Sequence, residues 1–222
     1  MKELRAMIFD LDGVITDTAE YHYLAWKQLA EELGIPFDRE FNEQLKGVSR
    51  MESLEKILAR GNRQNAYTPE EKERLATKKN EHYKQLIGRI TPADLLPGIP
   101  EFLKEVKGAG VKIALASASK NAPFVIERLQ IGHYFDAMVD AATIKNSKPH
   151  PEIFLRAGEL LSVDPSECVG VEDAEAGIEA IKRAGMFAVG VGTPEAMHQA
   201  DLSFSSTRDL DFPRIRQAFL EK

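Results

Sequence analysis

A chain of 222 residues carrying 35 acidic against 29 basic side chains has a formal charge of −6, so no global positive field exists to hold nucleic acid or an anionic membrane, and both are excluded as partners. Hydrophobic content of 43% and charged content of 29% fit a globular protein long enough for a core with a smaller second domain. The single cysteine, Cys168, rules out an internal disulfide, and its neighbours Val169, Gly170 and Val171 predict a buried strand thiol.

No apolar run approaches the length of a membrane helix, and Met1 to Arg5 shows no signal-peptide pattern, so the expected compartment is the cytoplasm. The first element is an apolar strand, Ala6 to Phe9, which delivers Asp10 and Asp12 to the edge of a Gly13 turn. Strand side chains alternate, so the two carboxylates share one face: one can be a nucleophile or metal ligand while its neighbour moves protons. A calcium loop is excluded, because the glycine comes fourth in the run where such a loop needs it sixth.

From Thr16 to about Ile90 the pattern is helical, with apolar spacing in Tyr21 to Leu33 and Ser53 to Ile57 and a charge-rich stretch from Pro69 to Leu86. Thr68-Pro69-Glu70-Glu71 reads as an N-cap, a first-turn proline and first-turn acids. Ile90 to Pro97 reads as a return linker. From Gly98 onward helices alternate with short apolar strands: helix Pro100 to Lys107, strand Val111 to Ala116, helix Ala122 to Leu129, a short segment at Ala137 to Val139, helix Pro151 to Leu161, strand Cys168 to Val171, helix Ala176 to Ala184 and strand Phe187 to Val191. The alternation predicts an α/β protein: a Rossmann-like parallel-sheet core with helices on both faces, made of residues 1–15 and 93–222, interrupted by an all-helical insertion at 16–92.

Open parallel sheets bind ligands at the carboxyl ends of their strands. The polar residues lie there: Asp10 and Asp12 after the first strand, Ser117-Ala118-Ser119-Lys120-Asn121 after the second, Lys148 after the weak segment near Val139, and Glu172-Asp173 after the Cys168 strand. Each alone has a plain reading as a turn hydroxyl, a solvated lysine or helix-start acids; together, in this order, they resemble the four motifs of the haloacid dehalogenase superfamily of aspartyl-phosphate enzymes.

That resemblance implies the superfamily's core fold with a helical cap, and one Mg²⁺ ion held by Asp10, Asp173 and the backbone carbonyl of Asp12, with Glu172 either direct or one shell out. It makes Asp10 the nucleophile, Asp12 the general acid and base, and Lys148 and Ser117 the partners of the phosphoryl oxygens. Asp12 points to phosphate esters, because a departing halide needs no acid. Asp17 to His22, the cap stretch Gln44 to Arg50 and the Ala116 to Asn121 loop are similar to the sugar-phosphate mutases of the superfamily. The similarity implies interconversion of β-D-glucose 1-phosphate and glucose 6-phosphate through β-glucose 1,6-bisphosphate, with a sugar-phosphate phosphatase as the rival. It assigns Lys46, Gly47, Val48, Arg50, Ser53 and Lys79 to substrate, with Ser117 through Asn121, and gives Thr18 and His22 a role linking the cap to Asp12. Lys78 competes with Lys79 for its assignment. The expected partners are small-molecule sugar phosphates, and the expected state is a monomer.

Overall fold

The computed structural model describes residues 3–222. The chain forms two compact units, one from residues up to Asp17 together with Thr91–Lys222, the other from Thr18–Ile90.

Among the described residues of the first unit six strands form one sheet: β1 (Ala6–Phe9), β2 (Lys112–Leu115), β3 (Ala137–Met138), β4 (Cys168–Glu172), β5 (Phe187–Val191) and β6 (Leu202–Phe204). They are arranged β3-β2-β1-β4-β5-β6, and every pair is parallel. This is the parallel-sheet architecture that the alternating pattern predicts. Its helices are α5 (Ile99–Gly108), α6 (Ala122–Arg128), α7 (Glu152–Leu161), α8 (Glu175–Arg183) and α9 (Phe212–Glu221), numbered after the four of the second unit.

Side-chain alternation sends the sheet's residues to two cores. Ala6, Ile8, Ala114 and Ala116 pack with Ile153, Phe154, Ile178 and Ile181 of α7 and α8. On the other face the Phe9 ring meets Phe102 of α5 at 6.1 Å, and Phe187 meets Phe219 of α9 at 5.9 Å. All four β1 residues are fully buried, as a central parallel strand covered on both faces must be. Cys168 lies in β4 and is buried, its thiol pushed up to about 12 by desolvation and by Asp164 and Glu167, so it is an inert core residue.

The second unit contains α1 (Ala19–Glu32), α2 (Arg39–Glu43), α3 (Arg50–Arg60) and α4 (Pro69–Ile87). Trp26, Leu29, Ile35, Phe41, Leu54, Ile57, Leu58 and Ala76 form its apolar centre. The reading of Thr68 as a cap is realised in full: its hydroxyl accepts from Glu71 N at 3.2 Å while the Glu71 carboxylate accepts from Thr68 N at 2.8 Å.

Candidate active site

β1 and β4 are neighbours at the centre of the sheet, and the chain leaves them toward opposite edges, β1 toward β2 and β4 toward β5. The loops beyond their carboxyl ends therefore part and leave a crevice. Asp10 is the first residue past β1, its N–H donating to Val171 O at 3.0 Å, and Glu172 closes β4.

Lys148, whose side chain is only 2% exposed, joins these ends. Its Nζ donates to Asp10 Oδ1 at 2.9 Å, to Glu172 Oε1 at 2.5 Å and to the Ala116 carbonyl at 3.3 Å. Three ammonium protons thus meet three oxygens. Burial disfavours the ammonium, but the Asp10 and Glu172 carboxylates outweigh it and its pKa is raised. Desolvation pushes the Asp10 carboxyl up to about 7; Lys148 opposes the rise, while the negative charges of Glu172 and Asp12 add to it.

The other Glu172 oxygen accepts from Asp173 N at 2.9 Å and Ala174 N at 3.0 Å. A cation ligated by Glu172 has to share an oxygen with one of these donors. Two glycines make room for the acids. A Cβ on Gly177 would stand 2.0 Å from Glu172 Cδ and Oε1, and one on Gly13, at φ +75°, would stand 2.0 Å from Asp173 Oδ2. Oxygens of Asp10, Glu172 and Asp173 lie within 4.8 Å of one another, a set of hard carboxylate donors that fits a small divalent cation such as Mg²⁺. Asp12 follows Asp10 at the edge of the crevice and bridges to Thr16, where Gly13 N donates to Thr16 O at 2.8 Å to close the turn.

Ser117 is buried past the end of β2, and its hydroxyl oxygen accepts from Ser119 N at 3.2 Å; Ser119 Oγ in turn accepts from Asn121 N at 3.3 Å. These two side-chain turns fold the Ser117 to Asn121 loop, with Ala118, Ser119 and Asn121 half-buried and Lys120 exposed.

In the second unit, α1 and α4 bring together a polar group within apolar walls. Lys79, 4% exposed, sets its Nζ 2.9 Å from His22 Nδ1. An ammonium can only donate, so Nδ1 accepts and the imidazole proton is assigned to Nε2. Desolvation, then Lys79 and Arg50, hold the His22 pKa well below its ordinary value. Its ring stacks on Tyr83 at 3.9 Å, and the Tyr83 hydroxyl donates to Thr18 Oγ1 at 3.1 Å. Lys79 Nζ lies 4.6 Å from the centre of Trp26 and 4.7 Å from that of Tyr83, so two aromatic faces help hold the buried charge. Lys78 is 60% exposed and paired with Glu32, which leaves Lys79 as the lysine that turns inward. Trp26 and Tyr83 were not among the expected site residues, although His22–Trp26 and Lys79–Tyr83 each have the i,i+4 spacing that shares a helix face.

The loop before α3 is less enclosed. Lys46 is exposed and ion-paired with Glu43 at 2.7 Å, Gly47 turns the chain at φ +69°, and Val48 is half-buried. Arg50 opens α3, half-buried, and Ser53 lies one turn on and is buried. Burial lowers the Arg50 pKa against the opposing pull of Glu73 and Glu81.

The chain is 56% identical to a β-phosphoglucomutase of Bacillus subtilis over 214 residues, covering 96% of this chain and 95% of that one. A crystal structure of β-phosphoglucomutase from Clostridium difficile superposes with a TM-score of 0.97 at 52% identity, covering 98% of each chain. A phosphorylated-carbohydrate phosphatase of Thermotoga maritima is 32% identical over 82% of each chain. A model of haloacid dehalogenase-like hydrolases matches residues 4–185, a span that runs from the first strand through both acids at the end of β4, and the chain belongs to that family.

Proposed function

We propose that this protein is a β-phosphoglucomutase, interconverting β-D-glucose 1-phosphate and glucose 6-phosphate through a phosphorylated Asp10 and β-glucose 1,6-bisphosphate. The observation that carries this reading is the 56% identity to the Bacillus subtilis β-phosphoglucomutase over 96% of the chain, against 32% to the Thermotoga maritima phosphatase.

In this reading Asp10 attacks the phosphoryl group and must be ionised to do so; Lys148, 2.9 Å away, favours that form against the effect of burial. Asp12 protonates the departing sugar oxygen and takes the proton from the hydroxyl that attacks next, work worth ~10²–10⁴-fold in rate. Ser117 donates to the phosphoryl oxygens. Asp10, Asp173 and the Asp12 carbonyl would hold Mg²⁺, with Glu172 one shell out because Lys148 and two N–H groups already engage it; the ion supplies positive charge for the phosphoryl oxygens. Lys46, Gly47, Val48, Arg50, Ser53, Lys79 and residues 117–121 bind the sugar and its second phosphate, and Thr18 and His22 serve the hinge. Residues 16–92 act as a cap that excludes water, so that a sugar hydroxyl rather than water receives the phosphoryl group. The enzyme works as a monomer in the cytoplasm.

The test is product identity. With Mg²⁺, β-glucose 1-phosphate and a trace of the bisphosphate, glucose 6-phosphate should accumulate, and Asp10→Ala should abolish both turnover and phosphoenzyme. Free phosphate in place of glucose 6-phosphate overturns the mutase reading in favour of a phosphatase.

A further inference from the structure

Lys148 does its work at the end of a long approach. Between β3 and α7 the chain runs through residues 139–151 without a strand or an α-helix, and Ala142, Thr143, Lys145 and Asn146 are exposed. Val139 and Ile144 tie that stretch to the core only before the exposed residues 145 and 146, yet Lys148 must present its ammonium to two carboxylates at 2.9 and 2.5 Å. A lysine has four rotatable carbons, so this precision depends on a fixed backbone at its own position.

The fixing group is Glu152. Its Oε1 accepts from Lys145 N at 2.7 Å, and its Oε2 accepts from Asn146 N at 2.9 Å and Asn146 Nδ2 at 2.8 Å. These bonds, with the Lys145 N–H first, hold the carboxyl below its ordinary range and keep it charged. Glu152 opens α7, where an acid is favoured by the helix dipole alone. Its carboxylate, however, turns back onto the loop, and its own N–H is received by His150 Nδ1 at 3.2 Å. The next two residues, Ile153 and Phe154, are buried in the core, and the Phe154 ring lies 5.1 Å from Lys148 Nζ. The carboxylate therefore ties the exposed approach to a rigid helix on the far side of Lys148.

We propose that Glu152 is a positioning residue for phosphoryl transfer: it clamps residues 145 and 146 and so sets where Lys148 meets Asp10. The kinetic consequence rests on the function proposed above; the clamp itself does not.

The experiment compares Glu152→Ala, Glu152→Asp and Glu152→Gln with the unaltered protein. Turnover is followed with β-glucose 1-phosphate, Mg²⁺ and a trace of the bisphosphate, and acetylation of Lys148 by acetic anhydride is followed by mass spectrometry. A misplaced catalytic group costs up to about a hundredfold, so kcat of Glu152→Ala should fall by about ten- to a hundredfold, with KM changed less than about twofold. Lys148, protected in the unaltered protein, should become labelled in Glu152→Ala. Glu152→Asp, which keeps the charged acceptor, should recover part of both effects; Glu152→Gln, which turns an N–H toward a donor, should recover less. An unchanged kcat per folded molecule or unchanged labelling of Lys148 in Glu152→Ala overturns the proposal, as does a Glu152→Asp variant no better than Glu152→Ala. If the unaltered protein releases phosphate instead of forming glucose 6-phosphate, the mutase reading falls, while the labelling and the ratio of variant to unaltered turnover still decide the role of Glu152.

Discussion

Replacing Gly177 with alanine tests how tightly the acid at the end of β4 is held. Gly177 sits in the first turn of α8 without a positive φ, so elsewhere the change should stabilise the helix by about 1 kcal/mol. Here the new Cβ would fall 2.0 Å from Glu172 Cδ and Oε1, inside any permissible contact. The carboxylate has to leave, giving up Lys148 at 2.5 Å and the two N–H groups at 2.9 and 3.0 Å. Breaking a buried ion pair in this way costs about 3–5 kcal/mol. Less the helix gain of about 1 kcal/mol, the net loss should be about 2–4 kcal/mol. Urea unfolding followed by circular dichroism reads the difference; Trp26, the only tryptophan, lies in the other unit and reports poorly on this one. The decisive comparison is the same substitution in a Glu172→Ala background, where no carboxylate stands in the way. There Gly177→Ala should stabilise, so the sign reverses between backgrounds. A common sign in both refutes the steric argument.

Three further outcomes follow from the charges. Burial pushes the Asp10 carboxyl up to about 7, above its ordinary value of 3.8, so between these values the folded chain holds a proton that the unfolded chain has released. This group therefore adds stability as pH falls from 8 toward 4, and Mg²⁺, which needs the ionised form, should bind more weakly as pH drops through about 7; calorimetry showing an affinity independent of pH between 6 and 8 contradicts the arrangement. In the second unit, Lys79→Met removes a positive charge 2.9 Å from His22 Nδ1, so the His22 pKa should rise toward, but not reach, 6.5 because burial still holds it down. Ring-proton NMR titration measures this, and an unmoved or lower value rejects the assigned contact.

The sheet was legible wherever a strand is buried on both faces. β1 and β5 are uninterrupted apolar runs, as is β4 up to its closing Glu172, and Phe187–Val191 has the limits its composition predicts. β6 was not legible: Leu202–Phe204 is three residues among serines and aspartates, one of them exposed, and only its pairing with β5 makes it a strand. Asp10, Lys148 and Glu172-Asp173, picked out by their order along the chain, do lie together at the ends of β1 and β4. Their mutual bonds were not legible. Nothing local says that the same lysine spans Asp10 and Glu172, or that Lys79 rather than Lys78 turns inward, since adjacent lysines on a helix differ only in the face the fold happens to bury.

The register of the central seam, Ala6 beside Cys168 and Phe9 beside Val171, has a consequence for synthesis. Of the strands in this sheet β1 waits longest for a partner, because the neighbour on one side lies more than 150 residues downstream. At roughly 5–20 residues per second, the nascent Ala-Met-Ile-Phe stretch waits roughly ten to thirty seconds with that edge bare. Translation speed over the distal half of the message therefore sets how long this apolar segment is open to chaperones or to a neighbouring nascent chain.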